Sequence, residues 1–452
     1  MSPRVATDIV DEAVLASAIA RYLPQQRWFL GDRHALARAE IRDLEVLNDE
    51  WPILVWAIVT GELKSGARTD YQVIAGLRPP GELEFLDHIP TALMGEVPTR
   101  LGPAIAYNAL HDPELARMLL RRLAPDESAS YVRQTGAEVA TSVLVYDERL
   151  LLRIFRRLPD GPNPDVETVR ALASQGFRNV SAPLAGWCRG DVDLAVLREF
   201  VAGGAEGWQL ALTSLRDLYD RRTAPNDAPG DFGPEARRLG SVIADLHRAL
   251  ANVFGRHPAD PSRWADRLRS RLDEVRHLDV DADGIEKLAQ RLAGIADAGH
   301  AIRIHGDLTL RRVMRTDAGW FVLGFEGERL RAAEAVGRVT SPLEDIAKLL
   351  RSIHLASRVA IDERSDDVDD DLTGHAAAWE QWIGRCYLEG YSSAIAGSGL
   401  LAVDDSDRAL VLTAFELIHA LRDLRRAHED FPHRVDSRLE AVDGLVARVP
   451  VS

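Results

Sequence analysis

"IRIHGDLTLRRVMRTDAGWFVLGFEGE", residues 302–328, sets His305, Gly306 and Asp307 between a short apolar segment, 301–304, and an apolar run from Trp320 to Phe325. In phosphoryl transfer a loop carboxylate accepts or orients the proton of the attacking hydroxyl, and a histidine two residues earlier steadies the loop through hydrogen bonds. A His-Gly-Asp tripeptide by itself is also an ordinary turn. Its setting, with the helical PLEDIAKLLRSI downstream, favours the catalytic-loop reading, with Asp307 and His305 as the catalytic residues. The pattern then breaks: the run that should end on an acid ends on Leu323, Gly324 and Phe325.

Working outward, AEVATSVLVYDERLLLRIFRRL at 137–158 reads as a hairpin with Asp147 and Glu148 in its turn. A helix over 164–176 follows, then strands at 181–188 and 192–201, and the flexible GGAEGW. Beyond it helical periodicity dominates, at 206–221, 234–254, 262–275, 283–297, 342–361, 373–397 and 405–429. Nearer the N-terminus, a helix over 11–23 stops at Pro24, and strands are expected at 41–47, 52–63 and 69–77. Residues 83–95 and 104–123 switch to a helical pattern. The acidic DERSDDVDDD at 362–371 reads as a solvated linker. A β lobe, a hinge and a helical lobe with one catalytic-type loop make an α+β, bilobal, kinase-like layout. The expected divisions are a β-rich cap over 1–100, an intermediate subdomain over 101–202 and a helical lobe over 203–452.

Composition narrows the function. The chain has 452 residues, 46% hydrophobic and 28% charged, which fits globular domains and excludes disorder or a fibrous repeat. No run approaches eighteen apolar residues, and the first residues carry acids where a signal peptide carries bases, so a cytoplasmic protein with no membrane partner is expected. A net charge of -15 opposes nucleic acid and would also repel nucleotide phosphates. Any nucleotide site therefore needs a local cluster of cations, and LLRIFRRL at 151–158 is the obvious one. Cys188 and Cys386 are too few and too far apart for a disulfide framework or a cysteine-rich metal site, and read as small core residues.

Several segments in order give the chain a specific resemblance. LPQQRWFLGD at 23–32, the hairpin and helix of 141–167, GGAEGWQLALTSLRDLY at 203–219, HGDLTLRRVMRTDAGWFVLGFEGE at 305–328 and SPLEDIAKLLRSI at 341–353 resemble a maltokinase. That family, related to aminoglycoside and choline kinases, phosphorylates maltose with ATP. The resemblance implies ATP and Mg2+ as cofactors, Asp307 as catalytic base, and Glu167 as the helix acid that pairs with a strand lysine. Here the lysine position is Arg153. It also implies backbone contacts to adenine from Glu199 to Val201.

The same resemblance exposes departures. Thr309, Arg311 and Arg312 stand where the family has His, Gly and a metal-binding Gln, and Gly324 stands where an Asp would hold magnesium. Magnesium wants six oxygens in tight geometry, so a bare 324 and a guanidinium at 312 degrade the site. Two rescues are open: Glu326, on the same strand face as Gly324, as a metal ligand, or Arg312 and Arg153 holding phosphate in the metal's place. On the sugar side, His419, Arg422 and Asp423 replace the family's Lys, Tyr and Glu in FELIHALRDLRR. Three functions follow as expectations. One is a pseudokinase kept for binding, with trehalose synthase or another α-glucan enzyme as the partner the resemblance suggests. The others are an active ATP-dependent sugar kinase with an altered metal site and a substrate other than maltose, and a ligand sensor whose pocket binds nucleotide or another anion through Arg153 and Arg312.

Remaining prominent residues have plainer readings. Asp231-Phe232-Gly233 precedes a helix far upstream of His305 and reads as its N-terminal turn. Trp28, Trp51, Trp56, Trp187 and Trp320 read as core anchors, Trp208 as hinge packing, and His247 and His354 as structural.

Overall fold

The structure, a computed structural model, describes residues 9–32, 34–135, 140–158, 161–325, 339–364 and 370–448. The chain divides into two compact units. One comprises residues up to 170 together with 181–202, and the other comprises 171–180 together with 203 onward.

In the first unit, Asp11 caps helix α1 (Glu12–Tyr22) by accepting from the amides of Ala13 and Val14. Strands β1 (Leu36–Asn48), β2 (Ile53–Leu63) and β3 (Arg68–Arg78) form an antiparallel meander where the apolar alternation predicts it. Residues 83–95 and 104–112, expected to be helical, are not. Two short 3-10 turns lead into β4 (Leu93–Thr99), which pairs with β5 (Gly102–Asn108), and β5 joins β3. The breakers explain the difference: Gly95 and Gly102 both adopt positive φ, and Pro90, Pro98 and Pro103 interrupt any helical ladder. Helix α2 (Pro113–Leu123) starts only after Asp112, which caps it.

A second sheet follows, ordered β10-β11-β8-β7-β6. It contains β6 (Val132–Gln134), β7 (Thr141–Tyr146), β8 (Leu150–Phe155), β10 (Pro183–Arg189) and β11 (Val192–Glu199), while β9 (Arg157–Leu158) joins the first sheet. Asp147 and Glu148 do form the β7–β8 turn, both with positive φ. Helix α3 (Pro164–Ser174) follows β9. Trp56 is buried, with Trp187 tilted against it at 5.6 Å. Trp28 is also buried, whereas Trp51 and Trp187 are partly exposed. Cys188 is exposed, unlike the core residue expected, because it lies near the β10 edge turn; Cys386 is buried.

The second unit is mainly helical: after β12 (Ala205–Glu206) come α4 (Gly207–Arg221) and α5 (Gly233–Phe254). Asp231 accepts from the amide of Gly233 at the start of α5 and from the Trp382 indole, which is the turn read from sequence. Next come β13 (His257–Pro258), α6 (Pro261–Val275), α7 (Ala282–Ala293), β14 (His300–Arg303), β15 (Val313–Thr316), β16 (Gly319–Val322) and β17 (Val339–Thr340). The bundle ends with α8 (Leu343–Asp362), α9 (Asp370–Ile395), α10 (Asp405–Asp430) and α11 (Val435–Ala447). Helix α11 was not expected. The middle of the acidic linker, 365–369, lies outside the described residues. Among the described residues no helix is long and apolar enough to cross a membrane.

Candidate active site

Two β-pairings build the loop. Strand β14 ends at Arg303 and pairs with β17 through Ile302 and Thr340, so the chain leaving β14 and the start of α8 emerge together. The hairpin β15–β16 pairs Val313 with Val322, which sets Arg312 opposite Leu323, and the Leu323 amide donates to the Arg312 carbonyl at 2.8 Å. Register alone therefore brings position 312 beside position 324.

The loop is anchored from α8. Asp345 is fully buried, and its carboxylate accepts from the amides of His305 (2.8 Å) and Gly306 (2.9 Å) and lies 3.2 Å from His247 Nε2. Burial pushes its pKa up, but the His247 hydrogen bond and charge and the loop amides outweigh it and hold the carboxyl below the usual range. The Leu310 amide donates to Ser352 Oγ at 3.1 Å. His305 is buried. Its Nε2 donates to the Leu323 carbonyl at 3.1 Å and its Nδ1 accepts from the Asp307 amide at 3.2 Å. Burial lowers its pKa, so the ring is neutral and acts as a brace. His247 also meets the Tyr391 hydroxyl at 2.9 Å, as a structural histidine should.

Asp307 is the partly exposed end of this scaffold, and it is matched on both oxygens. Lys348 Nζ, on α8, lies 2.7 Å from Oδ1 and donates to the Gly306 carbonyl at 3.2 Å. Arg312 Nε and Nη2 each lie 3.3 Å from Oδ2. Burial raises the Asp307 pKa, yet Lys348 and Arg312 outweigh it and leave the carboxyl lowered. A carboxylate so stabilised is a weaker base than an unpaired one.

Gly324 has φ +76, and a Cβ there would sit 2.8 Å from Arg312 Nη1. Arg312 thus fills the volume an acid at 324 would enter. Glu326, the other acid considered for a metal, lies outside the described residues.

In the first unit, Arg153 on β8 and Arg198 on β11 both reach Asp165 Oδ2, at 3.3 and 2.7 Å. Val196 is opposite Arg153 in the ladder, so Arg198, two residues on, shares its face. The buried acid at this pair is Asp165, two residues before Glu167, which is exposed on α3. Glu199 closes β11; its carbonyl accepts from Ser181 Oγ, and Val201 follows in the connection to residue 203.

The sugar-side candidates lie on α10. His419 is buried, Arg422 is partly buried, and Asp423 accepts from Arg351 Nε on α8 at 3.0 Å. His354, one turn along α8, meets Glu380 of α9 at 3.0 Å, and burial keeps its ring neutral. Trp208 is buried beneath the Arg311 guanidinium, 4.4 Å from its ring centroid.

Residues 22–112 match the maltokinase N-terminal cap domain. Over that segment the chain is similar to maltokinases. Among relatives, the glucosamine kinase of Streptacidiphilus jiangxiensis is 28% identical over 288 residues, 60% of this chain and 63% of that protein. The glucosamine kinase of Mycolicibacterium smegmatis (strain ATCC 700084 / mc(2)155) is 26% identical over 234 residues, 48% of this chain and 56% of that one. The matched region thus spans less than two thirds of these relatives. A solved glucosamine kinase (crystal form B) superposes with TM-score 0.69 at 21% identity, covering 97% of this chain and 100% of that one. Another, in complex with glucosamine, ADP and inorganic phosphate, gives 0.65 at 21%, covering 96% and 99%. At that identity the likeness shows the fold, which is the α+β, bilobal, kinase-like architecture with a β-rich N-terminal region.

Magnesium, implied for a maltokinase-like centre, does not fit the described residues. Asp307 is occupied by two cations, Arg312 takes the space at 324, and no group of three acids, histidines or cysteines stands close enough to hold a metal among the described residues. Sequence reasoning missed Asp345, Lys348 and Ser352. Their spacing of three and then four residues puts all three polar groups on one face of a helix, and that was the available signal.

Proposed function

We propose that this maltokinase-like chain is a pseudokinase: a sugar-kinase fold retained for binding, with its phosphoryl-transfer centre closed. The observation that carries this reading is Asp307 held on both oxygens by Lys348 and Arg312. Turnover would require the carboxylate to face a sugar hydroxyl and a cation to screen the transferring phosphate. Each missing electrostatic contact of this kind costs roughly 2.7–4 kcal/mol of barrier. The ligand class is a sugar with or without a nucleotide, and the partner class is trehalose synthase or another α-glucan enzyme, to be checked by co-purification.

The test is a product assay with ATP and glucosamine, glucose or maltose, in magnesium and in manganese. The expected result is no sugar phosphate above the no-enzyme rate. A phosphorylated sugar that disappears in Asp307→Asn overturns the reading. It would establish the second one, an active ATP-dependent sugar kinase, which the intact anchoring of the loop by Asp345 and the similarity to glucosamine kinases support.

A further inference from the structure

A divalent ion beside a phosphotransfer loop screens phosphate oxygens and ties them to the loop's acid. In this chain two side chains stand where that charge is needed. Lys348 is only 8% exposed, and its ammonium is fixed by Asp307 Oδ1 and the Gly306 carbonyl, so its charge stays at the loop. Arg312 is 32% exposed, with Nε and Nη2 on Asp307 and Nη1 over Gly324, which offers no side chain. Lys348 and Arg312 thus place two positive charges at the carboxylate of Asp307.

We propose that Lys348 and Arg312 are the built-in cations of this site, which takes the phosphates of a nucleotide without a divalent ion. The planar guanidinium of Arg312 suits bidentate contact with phosphate oxygens, while Lys348 neutralises Asp307 so that the loop does not repel them. In a chain of net charge -15, such a local reserve of positive charge is what lets an anion approach. The inference rests on the kinase-like reading of the loop and not on the absence of turnover.

Calorimetric titration of the full chain with ATP and ADP, once in excess magnesium and once in EDTA, tests it. The expected result is equal affinity in both buffers. Lys348→Met and Arg312→Gln should each weaken binding roughly tenfold to a hundredfold. Should Lys348→Met fail to fold by circular dichroism, Lys348→Arg takes its place and should keep binding insensitive to EDTA. Affinity that vanishes in EDTA, no nucleotide binding in either buffer, a sugar phosphate binding where nucleotides do not, or Arg312→Gln binding as tightly as the parent each overturns the proposal. Turnover combined with EDTA-insensitive binding would sink the pseudokinase reading alone. Magnesium-dependent binding without turnover would sink this one alone.

Discussion

At the scale of single residues, the site is a set of charges held in place by burial. Asp165 is completely buried between Arg153 and Arg198, so removing its carboxylate takes away the counter-charge that both guanidinium groups share. Breaking such a buried pair costs about 3–5 kcal/mol, whereas losing a surface contact costs about 1 kcal/mol or less. Urea denaturation should therefore show Asp165→Ala strongly destabilised and Glu167→Ala nearly unchanged. If Glu167→Ala proves the more damaging, the assignment of Asp165 as the essential acid is wrong. The sequence pointed to this cluster through LLRIFRRL and NPDVE, but a two-residue shift of the acid, to the opposite side of the helix, cannot be read from a motif. Which of the two acids turns inward depends on which helical face packs on the sheet.

At the scale of elements, α8 connects the loop to α9 and α10. Asp345, Lys348 and Ser352 face the loop, while Arg351 and His354 face α10 and α9. On α10, burial raises Glu416 to about 7, opposed by Arg448 and reinforced by Glu380. A carboxyl whose folded pKa lies above its unfolded value near 4.5 favours the native state while protonated. Its contribution is complete below pH 4.5 and is lost as pH rises toward 7. Glu416→Gln should remove that part of the pH dependence and stabilise the protein by on the order of 1–3 kcal/mol at pH 8. Thermal melts of both proteins across pH 4.5–8 check this; parallel profiles would refute it. The long periodic helices and the first meander were legible because each has a clear apolar period. The β4–β5 hairpin was hidden because short apolar spacings fit either period, and only the positive φ at Gly95 and Gly102 decides between them.

At the scale of the whole molecule, the division into units does not follow the chain. Residues 171–180 belong with the second unit, where Asn179 holds β16 through its carbonyl, accepting from Val322 at 2.8 Å, and its side-chain amide, donating to the Trp320 carbonyl at 2.7 Å. Asn179→Ala keeps the first bond and loses the second, at a cost of about 1 kcal/mol. Hydrogen exchange should accelerate in β15 and β16 while β2 and β3 stay protected. Equal acceleration in both places would mean that the two units unfold as one. The position of this crossing could not be seen in the sequence, where 171–180 reads as the tail of a helix and a loop.

The left-handed backbone at Gly324, with a guanidinium over its α-carbon, also constrains the route by which a metal centre could be built there. An aspartate installed there first would meet Arg312 and be captured as its counter-ion, so Gly324→Asp alone should leave magnesium affinity undetectable by titration. Only after Arg312→Gln does the new acid have oxygens to offer. The order of the two changes therefore decides whether a carboxylate at 324 is free to meet a metal or is spent on Arg312.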